Sequence, residues 1–154
     1  MEIVLARKEH IPALLKLLHQ VGQVHHEIRP DIFASGALKY DEAALEALLA
    51  DPDAPIFVAL PKGAVAGYCF CRVKRFTPPL HTPRAEFYID DLCVDEAHRR
   101  MGVAQALYNH TLARARDMGC HSVTLNVWCG NDGAMAFYEK QGMTPRNIVM
   151  EKVL

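Results

Sequence analysis

The hydrophobic and polar positions of the N-terminal third alternate between strand-like and helix-like patterns. A short apolar run, EIVLA, precedes a helix predicted over residues 8–24, whose apolar side chains recur on one face: Ile11, Leu14, Leu15, Leu18 and Val21. Residues 25–40 are interrupted by Pro30 and are predicted to form a loop that serves as a lid or a substrate wall. A second helix is predicted to begin at Asp41, a residue type that caps helices, and to end before Pro52.

The rest of the chain predicts a hairpin followed by alternating strands and helices. Residues 55–75 form two strands joined by a tight turn, and residues 84–96 form a third strand. Four elements follow: a helix over 102–118, a strand over 121–128, a helix over 131–142 and a terminal strand over 144–154. This order predicts a single α/β domain over residues 1–154, with a mixed, mostly antiparallel central sheet flanked by helices. Only the strands on either side of the long helix are expected to run parallel.

Composition narrows the classes of partner. The 154 residues include 18 acidic and 17 basic side chains, so the net charge of -1 argues against a general binder of nucleic acid or anionic membranes. No run of about eighteen apolar residues could span a bilayer, and the N-terminus lacks a signal-peptide pattern, so a cytoplasmic location is expected. Five cysteines without a C-x-x-C pair predict reduced core residues, and the adjacent His25 and His26 diverge, so no metal site is predicted.

The segment VDEAHRRMGVA, between the third strand and the long helix, predicts a phosphate-binding helix start. Small residues and free backbone N–H groups in a first helical turn, beside two guanidinium groups, suit a phosphate. The residues concerned are Arg99, Arg100, Met101, Gly102, Val103 and Ala104. Neither the P-loop nor the dinucleotide-binding pattern is present. The alternative is an ordinary helix start with solvated arginines.

Two adjacent carboxylates, Asp90 and Asp91, interrupt the third strand. A strand covered on both faces has no favourable place for an unpaired charge. Successive strand residues face opposite sides, so the two carboxylates share an environment only if a bulge lies between them. We expect one of them to point into a functional site. The alternative is an ion pair with an arginine of the segment RFTPPLHTPRA.

Two motifs resemble those of the GNAT superfamily of acyl-CoA-dependent N-acyltransferases. R-x-x-G-x-A, formed by Arg99, Gly102 and Ala104 after the apolar LCV, resembles the pyrophosphate-binding motif of that family. The segment LNVWCGNDGAMAFYEKQGM resembles the family's second cofactor motif, with matching residues Asn131, Ala134, Phe137, Tyr138 and Gly142. The strong part of the resemblance covers residues 88–143. It implies the GNAT fold, acetyl-CoA as cosubstrate and no metal.

The resemblance also implies roles for particular residues. The third strand and the following parallel strand splay apart, and the pantetheine arm lies in the gap and bonds backbone groups of Leu92, Cys93 and Val94. Tyr138 aligns with a tyrosine that donates a proton to the leaving coenzyme A sulfur. The alternative for Tyr138 is an aromatic core anchor beside Phe137. The remaining cofactor contacts are expected from the residues of the two motifs named above.

Two acidic residues are candidates for the base or the amine binder, and a third is expected to be structural. YIDDLCV resembles a segment of the diamine acetyltransferases in which the acid at the place of Asp90 serves as base or binds a cationic amine. Glu86 matches the place of the base in the ribosomal-protein alanine acetyltransferases and is the second candidate. Asp91 is expected to accept a hydrogen bond from a neighbouring loop or helix N-terminus.

The function expected from these observations is acetyl transfer from acetyl-CoA to a primary amine of a small cationic substrate by direct attack. Acidic residues of the predicted lid and second helix, such as Glu27 and Glu42, suit a cationic amine, whereas His25, His26 and Arg29 oppose it. One alternative is acetylation of a protein N-terminus or lysine, and another is a coenzyme A-binding module without turnover. Exposed edge strands make a homodimer reasonable.

Overall fold

The computed structural model describes all residues 1–154 and contains five strands and four helices. They follow one another as β1 (Glu2–Leu5), α1 (Ile11–Ile28), α2 (Glu42–Leu49), β2 (Ile56–Leu60), β3 (Gly67–Phe76), β4 (Arg84–Val94), α3 (Val103–Asp117), β5 (Ser122–Leu125) and α4 (Asp132–Lys140). The strands form one sheet in sequence order. β1 to β4 are antiparallel, and β4 and β5 are parallel. The predicted mixed α/β fold is therefore confirmed.

Each face of the sheet carries its own hydrophobic core. On one face, α1 and α2 cover apolar residues of β2 and β3, including Val58 and Phe70. On the other face, α3 and α4 cover Phe57, Phe87 and their neighbours. The period of two along the strands produces this division, because alternate side chains point to opposite faces. None of the helices combines the length and apolar character needed to cross a bilayer.

Helix α1 continues four residues beyond its predicted end and includes His25 and His26 in its last turn. Pro30 disfavours helical backbone at the residue before it, Arg29, so the helix ends at Ile28. The polar His-His-Glu sequence suggested a loop, but these residues continue the helix, with His25 and His26 half-buried and Glu27 exposed.

The predicted terminal strand over 144–154 is wrong. These eleven residues are exposed and form no backbone hydrogen bond with the rest of the chain. A strand requires a ladder partner, and none of the other strands pairs with this segment. We call residues 144–154 the C-terminal tail.

The cysteines are free thiols, as predicted, but not all are core residues. Cys69, Cys71 and Cys93 are buried, whereas Cys120 is partly buried and Cys129 is exposed. Cys129 lies in the loop after β5. The predicted strand over residues 121–128 is longer than the observed strand, which ends at Leu125. No cluster of three or more potential metal ligands is found.

Candidate active site

A β-bulge in β4 places Asp90 and Asp91 on the same side of the sheet. Phe70 pairs with Asp91 and Cys71 pairs with Ile89, so Asp90 is an extra residue without a partner in β3. An extra residue shifts the alternation of the strand by one position. Both carboxylates consequently bond to side chains of the aromatic cluster beneath α1 and α2.

Asp90 is held by two residues of the loop before α2. Its carboxylate accepts a hydrogen bond of 2.7 Å from the hydroxyl of Tyr40, and the Lys39 ammonium lies 2.9 Å from the same oxygen. Lys39 also donates to the backbone carbonyl of Asp90 at 3.1 Å. The charge of Asp90 is therefore compensated by a lysine, and not by an arginine of the segment before β4.

Asp91 has a less polar environment. Its carboxylate accepts a hydrogen bond of 2.8 Å from the Tyr68 hydroxyl of β3, so the donor is a strand residue instead of the predicted loop or helix N-terminus. Burial raises the pKa of Asp91 above the ordinary value, and the effect outweighs the Tyr68 hydrogen bond and the more distant charge of Lys39. Burial thus makes Asp91 a more basic carboxylate than an aspartate in water.

The parallel strands β4 and β5 separate beyond Ile89 and Leu125. Their ladder ends at this pair, while β4 continues to Val94 without a neighbour on that edge. A cavity of about 530 Å³ opens beside the gap, between α1, the loop before α2 and the start of α4. It is lined by both aspartates, Leu92, Asn131, Ala134 and Tyr138, together with apolar loop residues. The expected separation of the two strands is therefore observed, and the segment predicted as a substrate wall borders this cavity.

Tyr138 lines this cavity, and its hydroxyl forms no hydrogen bond with another protein group. Its ring packs 5.1 Å from the Phe137 ring and 6.1 Å from the Tyr108 ring, which fixes its position on α4. Burial, followed by the nearby acidic groups, raises the pKa of Tyr138 well above its ordinary value. The hydroxyl is therefore protonated at neutral pH and free to donate.

The predicted phosphate-binding segment has the backbone of an anion-binding site. Arg100 and Gly102 have positive φ values of 62° and 79°, and the backbone N–H groups of residues 100–102 donate to no protein acceptor. No side chain caps α3, so the N–H groups of its first turn are also unpaired. Arg99 is half exposed, and its guanidinium lies 3.5 Å from Glu96. The groups that would hold a pyrophosphate are present and accessible.

Some of the other predicted cofactor residues lie near the gap between β4 and β5, and others belong to the hydrophobic cores. Asn131 caps α4 by accepting a hydrogen bond of 3.3 Å from the N–H of Ala134. The side chains of Val103 and Cys93 are buried, and Phe137 packs on α3. These three residues can contribute only their backbone groups or support to neighbours.

Glu86 lies outside this cavity, in a pair of salt bridges. It is 2% exposed, and its Oε1 lies 2.7 Å from Arg146 and 3.1 Å from Arg84. Burial raises the pKa of Glu86, but the two arginines outweigh it and hold that pKa below the ordinary value. Glu86 and Arg146 line a second groove of about 920 Å³ on the same side of the sheet, which runs along β5.

Sequence reasoning missed four residues that shape the site. Lys39, Tyr40 and Tyr68 hold the two aspartates, and Gln20 of α1 donates a hydrogen bond of 3.0 Å to the carbonyl of Val94. The partners are separated by 23 to 74 positions. Of these, only the loop position of Lys39 and Tyr40 within the predicted substrate wall could have suggested a role.

A mixed sheet with one splayed parallel pair, followed by an anion-binding helix start, is the architecture of the GNAT fold. The sequence model of the Acetyltransferase (GNAT) family matches residues 21–143. The chain therefore belongs to the acetyltransferase (GNAT) family.

Related proteins agree with this assignment. An uncharacterized N-acetyltransferase of Bacillus subtilis, YdgE, is 35% identical over 79 residues, which are 51% of this chain and 50% of the relative. The N-alpha-acetyltransferase MAK3 of Arabidopsis thaliana is 30% identical over 86 residues, which are 56% of this chain and 43% of the relative. The matched segment thus spans half or less of these relatives.

Solved structures resemble the whole chain. A mutant of the BH1408 protein of Bacillus halodurans has a TM-score of 0.95 at 26% identity, covering 100% of this chain and 99% of that one. An aminoglycoside acetyltransferase from an uncultured soil sample, solved with sisomicin, has a TM-score of 0.73 at 20% identity, covering 99% and 94% of the two chains. The second likeness concerns the fold alone.

Proposed function

We propose that this protein is a cytoplasmic N-acetyltransferase that transfers the acetyl group of acetyl-CoA directly to a primary amine of a small cationic substrate. The observation that carries the proposal is the convergence of the free Tyr138 hydroxyl and the carboxylates of Asp90 and Asp91 on one cavity beside the splayed strands. Amine acetylation by a thioester requires a proton acceptor for the amine and a proton donor for the departing thiolate. Both kinds of group are available here.

The chain carries suitable groups for acetyl-CoA. The unpaired N–H groups of residues 100–102, together with Arg99 and Arg100, would hold the pyrophosphate. The exposed edge of β4 from Leu92 to Val94 would bond the pantetheine arm, although the Val94 carbonyl is already occupied by Gln20. Acetyl-CoA supplies the activated acyl group.

Tyr138 is the proposed proton donor to the thiolate. Its raised pKa keeps the hydroxyl protonated, and the absence of a protein partner leaves the proton available for transfer. The aromatic contacts with Phe137 and Tyr108 hold the ring without engaging the hydroxyl. The core-anchor role considered from the sequence and the catalytic role are therefore compatible.

Asp91 is the strongest candidate for the proton acceptor. Its pKa is raised and a single phenol bonds its carboxylate, whereas the charge of Asp90 is already compensated by Lys39. Asp90 is suited to bind the ammonium group of the acceptor, which would replace Lys39 as its ion-pair partner. Glu86, with its lowered pKa and two arginine partners, is a weak base and is suited to a structural role.

The acceptor is proposed to be small because α1 and the loop before α2 border the cavity and limit its size. Its volume of about 530 Å³ lies within the range of small-molecule sites, which is roughly 300–1,000 Å³. Most of its lining is apolar, and the two aspartates supply the negative charge. This arrangement favours an amine with an apolar body over a strongly hydrated polycation.

A second candidate is acetylation of a peptide N-terminus. It is favoured by the 30% identity with a relative named as an N-alpha-acetyltransferase. A peptide would need its first residues to enter the same cavity, with the rest of the chain outside the loop before α2. The amine chemistry at Asp91 and Tyr138 would be unchanged.

The first experiment is calorimetric titration with acetyl-CoA and, separately, with ATP and NAD. We expect selective binding of acetyl-CoA that the double variant Arg99→Glu/Arg100→Glu abolishes. Arg114→Glu/Arg116→Glu, at the other end of α3, is the matched control and should bind normally. Equal binding by both double variants would refute the phosphate site.

Steady-state acetylation of a panel of primary amines with apolar bodies, polyamines, aminoglycosides and peptides with free N-termini then separates the two candidates. Turnover of small amines supports the first candidate. Turnover of peptides alone would exclude it and leave the second. Tight acetyl-CoA binding without turnover of any member would instead support the non-catalytic module.

A further inference from the structure

The proposed acceptor cavity already holds a primary amine that belongs to the chain itself. Lys39 is the one lysine of seven that lines this cavity, since Lys74 lines the second groove and the others line neither. Its ammonium lies 2.9 Å from the carboxylate of Asp90, the residue proposed to bind the ammonium of the acceptor. Lys39 therefore occupies the position proposed for the substrate amine.

The side chain of Lys39 has the chemistry expected of an acceptor. A lysine carries its ammonium on a flexible four-carbon stem, so it is a primary amine with an apolar body. The side chain is 44% exposed, so its ammonium is not locked in a fully buried ion pair. An arginine would compensate the charge of Asp90 as well, but it cannot lose its proton to become a nucleophile.

The loop that carries Lys39 leaves its side chain room to move. Residues 34–40 form no hydrogen bond between backbone groups. The loop is held instead through Tyr40, whose ring stacks on that of Phe70 at 5.6 Å and whose hydroxyl bonds Asp90. The ammonium of Lys39 is consequently held chiefly by its two contacts with Asp90.

The thioester is expected within reach of the Lys39 amine. The ammonium donates to the backbone carbonyl of Asp90 at 3.1 Å, and the pantetheine arm is proposed to bond β4 from Leu92 onward. Two strand residues span at most about 7 Å, a distance that rotation of a lysine side chain can cover. Asp91 and Tyr138, the proposed proton acceptor and donor, line the same cavity.

We propose that Lys39 is an internal acceptor, and that in the absence of an amine substrate the protein transfers the acetyl group of acetyl-CoA to its own Lys39. This inference rests on the proposed function, whose cosubstrate and proton-transfer groups it uses. The Lys39 ammonium first loses a proton to Asp91, and its nitrogen then attacks the carbonyl carbon of the thioester. A C–N bond forms and the C–S bond breaks.

The protons of this transfer balance without a further reactant. The nitrogen of Lys39 loses two protons between the ammonium and the amide. One passes through Asp91 to solvent, and the other restores Tyr138, which has protonated the thiolate of coenzyme A. The products are acetyl-Lys39 and free coenzyme A. Because the amide is uncharged, the modification removes the ion pair and leaves Asp90 with the hydroxyl of Tyr40 as its partner.

Peptide mass spectrometry of the full chain after incubation with acetyl-CoA alone tests the inference. We expect one acetyl group at Lys39, added at least about a hundredfold faster than at Lys62, because general acid–base catalysis acts only in the cavity. Lys62 is an exposed lysine in the turn between β2 and β3 and reports the uncatalysed reaction. Lys39→Arg keeps the positive charge and should lack this acetyl group, while Lys62 reacts as before.

Tyr138→Phe distinguishes catalysed transfer from the simple reactivity of an amine. Acetylation of Lys39 should slow at least about tenfold in this variant, and that of Lys62 should not change. A trace of wild-type chain mixed with excess Tyr138→Phe chain tests whether the transfer occurs within one chain. The two chains differ in mass by one oxygen atom, and Lys39 of the variant should react no faster than it does in the variant alone.

Three results would overturn the inference. They are equal rates at Lys39 and Lys62, an unchanged rate at Lys39 in Tyr138→Phe, and rapid modification of the variant by the wild-type chain. The amine panel separates this failure from failure of the proposed function. Turnover of small amines, with Lys39 unmodified in their absence, overturns the internal acceptor and leaves the proposed function intact. No turnover of any amine and no acetylation of Lys39 overturns both.

Discussion

Replacing Tyr138 by phenylalanine removes one oxygen atom and leaves the packing of α4 unchanged. The ring contacts with Phe137 and Tyr108 are made by carbon atoms and persist in the variant. The hydroxyl has no protein partner, so the substitution breaks no hydrogen bond, an interaction that typically contributes about 0.5–1.5 kcal/mol. The free energy of unfolding should therefore change by less than about 1 kcal/mol.

The effect on catalysis should be much larger. Loss of a general acid lowers kcat by a factor of about 10 to 10⁴, which corresponds to about 1.4 to 5.5 kcal/mol of barrier. Acetyl-CoA binding should be unaffected, because the hydroxyl does not belong to the proposed phosphate site. The assay is steady-state acetylation, measured by release of free coenzyme A thiol, alongside thermal unfolding of the same preparation.

Tyr108→Phe is the matched control for this experiment. Tyr108 lies in the same aromatic cluster, but its ring is buried on α3 and lines neither cavity. The kcat of Tyr108→Phe should equal that of the wild type. If Tyr138→Phe also retains the wild-type kcat, the hydroxyl takes no part in proton transfer and Tyr138 is a core anchor alone.

Two further predictions concern the acidic residues. Asp91→Asn should lower kcat by about 10² to 10⁴ and remove the acidic limb of the pH-rate profile, whereas Asp90→Asn should mainly raise KM. Because the folded-state pKa of Asp91 is raised, its ionisation destabilises the fold above the unfolded-state pKa, so Asp91→Asn should raise Tm at neutral pH and not in acid. Glu86 is the opposite case, because its folded-state pKa is lowered. Its ionisation therefore stabilises the fold above the unfolded-state pKa, and this contribution is lost as the pH falls through the folded-state pKa. Glu86→Gln should therefore cost about 1–2 kcal/mol at neutral pH, allowing for the exposure of Arg146, and little in acid.

The measurements for these variants are pH-rate profiles and thermal unfolding as a function of pH. An unchanged acidic limb in Asp91→Asn would show that the amine arrives neutral or that another group accepts the proton. A large loss of kcat in Glu86→Gln without loss of stability would make Glu86 a candidate for the general base again.

The sequence predicted those features that depend on local patterns. Apolar periodicity predicted the four helices and the five observed strands in order, together with a sixth strand that is absent, and the motif around Gly102 marked the start of α3. These features depend on residues only a few positions apart, so the local sequence largely determines them.

Features that depend on long-range contacts were not predictable in the same way. The bulge at Asp90 depends on the register between β4 and β3. The Tyr40–Asp90 and Glu86–Arg146 pairs join residues that are 50 and 60 positions apart in the sequence. The terminal strand was predicted from the local sequence pattern, but a strand also needs a neighbour. The proposal of Asp91 as the base likewise depends on a long-range contact, because its environment is formed by Tyr68 of another strand.

The bulge has a consequence for how acceptor specificity can change. An extra residue in a ladder is not committed to either packed layer, so a substitution at Asp90 alters the cavity while the residues on both sides keep their neighbours. Deleting that residue would have the opposite effect, because it would invert the facing of residues 84–89, moving Phe87 out of the core and Glu86 into it. A point substitution at position 90 is therefore expected to reshape this cavity without disturbing either hydrophobic core.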